Sequence, residues 1–262
     1  MMNLSKTSRR MMSARVPVVG GNWKMNAGNG TTKAAVMELV AGLNAAPKPK
    51  CEVYLGVPFV YLDAVKAAIA PHFDVAAQNM YKEAKGAYTG EISGEMLVDL
   101  GIQYVIIGHS ERRDIFGETD ALLGAKIAKA QALGLKVAAC CGEQKAEREA
   151  GTTMDVLIPQ LKAICDNTSD WSKMVIAYEP VWAIGTGLTA TPEQAQATHA
   201  DIRQWLAKYV SPAVADGVRI QYGGSANDKN AAQIAAGADI DGFLVGGASL
   251  KAEPFSTIYG VF

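Results

Sequence analysis

Residues 16–26 read Val-Pro-Val-Val-Gly-Gly-Asn-Trp-Lys-Met-Asn. A short β-branched run empties into a polar and aromatic segment. An open doubly wound sheet usually carries a glycine-rich dinucleotide turn at this point, directly after its first strand. That turn is missing here, which moves the reading to the other large fold of parallel strands and helices, the closed barrel. Further runs of the same kind follow Val16–Gly20: Val53–Gly56, Asp74–Ala77, Tyr104–Ile107, Lys136–Ala139, Val175–Tyr178, Arg219–Tyr222 and Gly242–Val245. They are short, apolar and without clean alternation, as expected of parallel strands buried on both faces. Helical stretches separate them, among them Thr31–Leu43, Ala121–Leu133 and Pro192–Val210. The last opens with Thr191 as N-cap and Pro192 in the first helical position. Strands alternating with helices over about 250 residues predict an α/β fold, a single-domain (β/α)8 barrel. We place it at residues 16–262, with residues 1–15 as an extension expected to be disordered.

Composition narrows the function classes. Apolar residues make up 49% of the chain and the net charge is −1, so no basic excess points to nucleic acid or to a membrane surface. No apolar run approaches the length of a membrane span. Cys51, Cys140, Cys141 and Cys165 have neither Cys-x-x-Cys nor zinc spacing, and are read as reduced, small apolar residues in a cytoplasmic compartment. Neighbours on a strand, Cys140 and Cys141 are expected to face opposite ways. The first fifteen residues carry Lys6, Arg9, Arg10 and Arg15 and no acid. That composition suits an alternative start or, as a second reading, a plastid or mitochondrial targeting remnant.

In such barrels, chemistry gathers where strands end and loops begin. Asn22 and Lys24, two apart, share one face of extended backbone, and Lys24 can hold an anion or stabilise an oxyanion. The alternative is a surface lysine. After the fourth strand comes Gly-His-Ser-Glu-Arg-Arg at 108–113. His109 can hydrogen-bond a carbonyl oxygen, and a helix starting there would lower its pKa; alternatively it is structural. Glu111 and Arg112 suit ion pairs. His72 and His199 are read as structural, without visible partners. After the sixth strand comes Tyr-Glu-Pro-Val-Trp-Ala-Ile-Gly-Thr-Gly at 178–187. Glu179, beside an apolar loop, suits a general base, and the loop suits a hinged lid; an ordinary loop with an ion-paired glutamate is the alternative. Tyr-Gly-Gly-Ser at 222–225 and Gly-Gly-Ala-Ser at 246–249 place glycine turns after the last two strands. Such turns let backbone amides approach a phosphate. Residues 79–94 form a long connection without helical period, which suits a lid or a subunit contact.

Together, Gly-Asn-Trp-Lys-Met-Asn at 21–26, Ile-Gly-His-Ser-Glu-Arg-Arg at 107–113, the 178–187 segment and Tyr-Gly-Gly-Ser at 222–225 resemble the triosephosphate isomerase family from about Val16 to the C-terminus. Ala-Tyr-Thr-Gly-Glu-Ile-Ser at 87–93 resembles that family's interdigitating loop. The resemblance implies a cofactor-free, metal-free aldose–ketose isomerase acting on a phosphorylated triose in glycolysis and gluconeogenesis. It implies Glu179 as base, neutral His109 as electrophile, Lys24 as positive charge and Asn22 as its positioner, with Ser110 and Glu111 in support. Amides at Gly185, Ser225, Gly246 and Gly247 would grip phosphate, and Thr89 would reach into the other subunit of a homodimer. This family is itself a standard example of a glutamate base beside a neutral histidine, and of lid closure. Departures are the N-terminal extension, Cys141 and Leu188, where many relatives have lysine. Competing readings are another phosphate-binding barrel enzyme, such as an indole- or ribulose-phosphate enzyme, or a non-catalytic binding barrel.

Overall fold

The computed structural model describes residues 15–184 and 189–262. The strands are β1 (Val18–Asn22), β2 (Glu52–Val57), β3 (Asp74–Ala77), β4 (Tyr104–Ile107), β5 (Lys136–Cys141), β6 (Met174–Tyr178), β7 (Arg219–Tyr222) and β8 (Gly242–Val245). They close into one parallel barrel in chain order, β8 pairing back to β1. The helices are α1 (Lys33–Ala45), α2 (Leu62–Ala68), α3 (Gly94–Asp99), α4 (Ser110–Asp114), α5 (Asp120–Ala132), α6 (Lys145–Glu149), α7 (Thr153–Asp166), α8 (Pro192–Tyr209), α9 (Pro212–Gly217), α10 (Ala231–Ile234) and α11 (Ala252–Tyr259). The expected strands are all present. The first begins two residues late, at Val18, because Pro17 has no N–H for a ladder bond and offers only its carbonyl, which accepts from Glu52 N–H at 3.0 Å. On α8 the Thr191 cap, Pro192 and a reciprocal bond from Gln194 start the helix as read from sequence. No described helix is long and apolar enough to cross a membrane.

The strand period divides the core in two. Val18, Tyr54, Ala76, Tyr104, Ile106, Ala138, Cys140, Val175, Ala177 and Leu244 pack together inside the barrel. Their neighbours, such as Val137, Ala139 and Cys141, join the larger core between strands and helices. Cys140 and Cys141 therefore do face opposite ways, and all four cysteines are free and buried. At the end where strands begin, Glu52 takes Lys136, Arg219 and the Tyr104 hydroxyl. Above this ion-pair plug, the rings of Tyr54 and Tyr104 stack at 4.5 Å. Tyr54 donates to Gln221 Oε1 at 2.8 Å, and Gln221 donates to the carbonyls of Val18 and Phe243. Gly20 makes room for this layer, since a Cβ there would lie 2.2 Å from Tyr54 Cζ. These residues fill the lower barrel, and a cavity opens at the end where the strands finish.

Arg15 belongs with the barrel rather than with the extension. Its guanidinium donates to Asp241 Oδ1 at 2.6 Å and to the carbonyls of Asp216 and Ala238, tying the chain to the lower rim. Residues 1–14 lie outside the described residues.

His199 on α8 has partners that the sequence did not reveal. Its Nδ1 lies 2.7 Å from the Ala195 carbonyl, and Tyr178 packs edge-on at 5.5 Å. Burial pushes its pKa from 6.5 down to about 4. Above pH 6.5 neither folded nor unfolded ring is charged, and the group has no effect on stability. As pH falls from 6.5 to about 4, only the unfolded ring takes up a proton, so stability declines. The loss is on the order of 3 kcal/mol and levels off below the folded pKa. Replacing His199 with glutamine is expected to flatten this part of the stability-against-pH curve in urea titrations. An unchanged slope would remove His199 as its source.

Candidate active site

The inward phase of each strand carries the candidate residues to the open end. In β1 the inward positions run Val18, Gly20, Asn22; continued from β6 they run Val175, Ala177, Glu179; from β3, Asp74, Ala76, Gln78. Asn22 is buried and accepts the Lys24 backbone N–H at 3.0 Å. Lys24 is the only non-glycine among the described residues with positive φ, at 52°. Its carbonyl is held by Gln78 Nε2 at 2.8 Å, and the same amide reaches Gly56 O at 2.9 Å. These bonds hold the left-handed turn that aims the lysine. Its ammonium meets Glu111 Oε1 at 2.6 Å.

His109 caps α4 and is buried. The Glu111 amide donates to Nδ1 at 3.2 Å, which assigns the neutral ring's proton to Nε2. That Nε2 lies 2.9 Å from Glu179 Oε1. Glu179 is 1% exposed, and its Oε2 accepts the Ser110 amide at 2.8 Å. Sequence reading placed the His109 pKa below its ordinary value, from the helix start. The structure reverses that in the resting arrangement. Burial opposes the charged ring, but the Glu179 carboxylate outweighs it and raises the pKa. The reversal depends on Glu179 staying beside the ring, and the amide at Nδ1 favours the neutral form once the carboxylate leaves.

Asn22, Lys24, His109, Ser225, Gly246 and Gly247 line one cavity of about 430 Å³ at the barrel mouth. Gly185 lies outside the described residues, as does Leu188; Ile184, just before them, lines the same mouth. Ser225 Oγ donates to Ala183 O at 2.6 Å, joining the loop after β7 to the start of the loop after β6. Glu179 does not line the mouth in this arrangement. It borders a neighbouring cavity of about 200 Å³, together with Ser110, Gly142 and Gln160. Ser110 and Glu111 thus act through backbone amides as well as through the Glu111 carboxylate.

Sequence reading missed three residues near the site. Gln78 was detectable from its inward phase. Glu143 is fully buried and accepts Tyr178 OH and Trp182 Nε1, each at 3.0 Å, which fixes the leading end of the loop after β6. Gln160 lies on α7 and had no local signal.

An imidazole, a lysine ammonium and glycine turns around one mouth, with a buried carboxylate behind the imidazole, can hold a phosphorylated carbonyl compound and move a proton on it once the carboxylate swings in. The family described as triosephosphate isomerase matches residues 17–261. A chloroplastic triosephosphate isomerase of Secale cereale is 54% identical over 241 residues, covering 92% of this chain and 80% of that protein. With fold, mouth and both comparisons in agreement, the chain belongs to the triosephosphate isomerase family, the enzymes that interconvert dihydroxyacetone phosphate and D-glyceraldehyde 3-phosphate.

Proposed function

We propose that this chain carries out the interconversion with Glu179 as the base and His109 as the electrophile. The carrying observation is the 2.9 Å approach of Glu179 Oε1 to His109 Nε2, at the edge of a mouth also lined by Lys24. In the reaction Glu179 swings off the Ser110 amide and takes a proton from the carbon beside the carbonyl. Its departure removes the pull on His109, which stays neutral and donates from Nε2 to the carbonyl oxygen. The enediolate forms against Nε2–H and the Lys24 ammonium. His109 then moves the hydroxyl proton between the two oxygens, and Glu179 returns its proton to the neighbouring carbon. Protons and electrons balance within the substrate, so the scheme uses no nicotinamide, flavin or metal. Asn22 holds the Lys24 turn, while Gly185, Ser225, Gly246 and Gly247 supply phosphate-binding amides. Exclusion of water from the mouth guards the enediolate against phosphate loss; the trailing part of the lid expected at 180–187 lies outside the described residues. Full turnover of glyceraldehyde 3-phosphate after exhaustive chelation is expected; a dead apo-protein revived by a divalent cation would overturn this scheme.

The same reading makes the protein a homodimer. Residues 79–93 are tied at their base by Tyr81 N–H to Ile92 O at 2.8 Å, and the tip with Thr89 is exposed. Met25, next to Lys24, is 97% exposed and offers apolar surface for a neighbour's loop. Thr89→Arg is expected to raise the dimer dissociation constant by at least about tenfold, since it sets an unpaired charge in a buried contact. Activity should then fall on dilution. Light scattering that finds an intact dimer at every concentration, with full activity, would defeat this.

For the compartment, the chloroplastic relative and the basic, acid-free residues 1–14 favour a plastid form over the cytoplasmic reading. A fluorescent fusion to residues 1–20 that stays in the cytoplasm would reverse that order.

A further inference from the structure

Gly142 follows β5 and lies against the backbone of Glu179. A Cβ at residue 142 would fall 1.9 Å from the Glu179 carbonyl oxygen, so the two main chains touch with no side chain between them. Directly before it, Cys141 O accepts the Glu179 N–H at 2.7 Å. The turn after β5 is therefore the bed on which the candidate base rests.

One side of this bed is unsupported by packing. Gly142 borders the cavity of about 200 Å³ that also touches Ser110, Val156, Val181 and Glu179. A single side chain braces it there. Gln160 Oε1 accepts the Gly142 N–H at 2.9 Å, and Gln160 Nε2 donates to the Gly142 carbonyl at 3.0 Å. Two bonds to one residue fix both its position and the plane of its peptide groups. The brace is itself anchored, because the adjacent α7 residues Leu157 and Leu161 are fully buried.

We infer that Gln160 is a positioning residue for the proton transfer, acting on Glu179 through the backbone of Gly142. It touches no reacting atom. Its part is to keep the turn after β5 from relaxing into the cavity and drawing the carboxylate off line. This rests on the reading of Glu179 as base. The consequence falls on kcat, because a displaced base slows the chemical step while the phosphate-holding turns after β7 and β8 are untouched.

Gln160→Met removes both bonds and keeps the length of the side chain. The variant is expected to lose about tenfold in kcat, a fraction of what a full 1 Å misplacement costs. KM and the affinity for inorganic phosphate should stay within about twofold, since uniform binding is unchanged. The deciding measurement is a double-mutant cycle with Glu179→Asp. If Gln160 acts through the placement of Glu179, its removal costs less than about twofold where the carboxylate is already withdrawn. Equal losses in both backgrounds, or a kcat of Gln160→Met close to the parent value, would overturn the inference, as would KM rising in step with the fall in kcat. If Gln160→Met does not fold, Gln160→Glu takes its place in the same cycle, keeping the acceptor for Gly142 N–H and losing the donor. Failure of the base assignment shows separately, as near-parental activity of Glu179→Asp alone.

Discussion

Glu179→Asp is expected to lower kcat by about 10²- to 10³-fold with little change in KM. Charge and chemistry are conserved in this substitution, and only reach is lost. The shorter carboxylate is drawn back by about 1 Å, and proton transfer depends steeply on that distance. The size of the effect hinges on whether the main chain can advance to compensate, and here it cannot. Glu179 N–H is bound to Cys141 O at 2.7 Å, and its carbonyl lies against Gly142. The following residues are held as well, by Val181 N–H to Glu143 O at 3.1 Å and by Trp182 to the buried Glu143 carboxylate. An aspartate in this frame also gives up either the Ser110 amide or the neighbourhood of His109. Steady-state rates in both directions measure the outcome. A kcat within tenfold of the parent would take Glu179 out of the base role.

Glu179 was legible in the sequence because short barrel strands leave little freedom of phase. Once Val175–Tyr178 is read as a strand, residues 175, 177 and 179 must share a face, and the last stands at the open end. The same logic holds for Asn22 at the end of β1 and, applied to Asp74–Ala77, also marks Gln78. It fails for Lys24, which was expected on extended backbone but leaves the strand at φ 52° and is aimed by its left-handed turn. Spacing did not give what depends on two distant segments meeting. The pKa of His109 moves upward because Glu179, seventy residues away in sequence, rests beside it. The brace on Gly142 comes from the middle of a helix whose pattern advertises only its buried face. Arg15 looked like one more basic residue of the extension, and only the folded chain brings to its guanidinium the Asp241 carboxylate and the carbonyls of Asp216 and Ala238. Strand phase is local and therefore readable; partners brought in by barrel closure are not.

Replacing Lys24 with glycine separates what this residue does for catalysis from what it does to the fold. The activity loss is expected to be at least about 10³-fold in kcat/KM, because removing one preorganised donor to an oxyanion already costs about 10²- to 10³-fold and the same ammonium attracts the anionic substrate. Stability should barely change, for reasons that oppose each other. The lysine occupies a left-handed conformation, φ 52°, which strains a side-chain-bearing residue by about 1–2 kcal/mol and leaves glycine unstrained. Against this, glycine loses about 0.5–1 kcal/mol through its greater freedom when unfolded. The ion pair with Glu111 contributes little, since the lysine side chain is 26% exposed and the glutamate 42%. The melting temperature is therefore expected to stay within about 3 °C of the parent. Lys24→Met is the matched control, because it removes the charge and keeps the strain. It should be as inactive as the glycine variant and melt no higher. Retention of a tenth or more of the activity by either variant would show that Lys24 is not the source of positive charge at the mouth. A glycine variant melting several degrees below the methionine variant would show that the left-handed turn, held by Asn22 and Gln78, stores no strain in this protein.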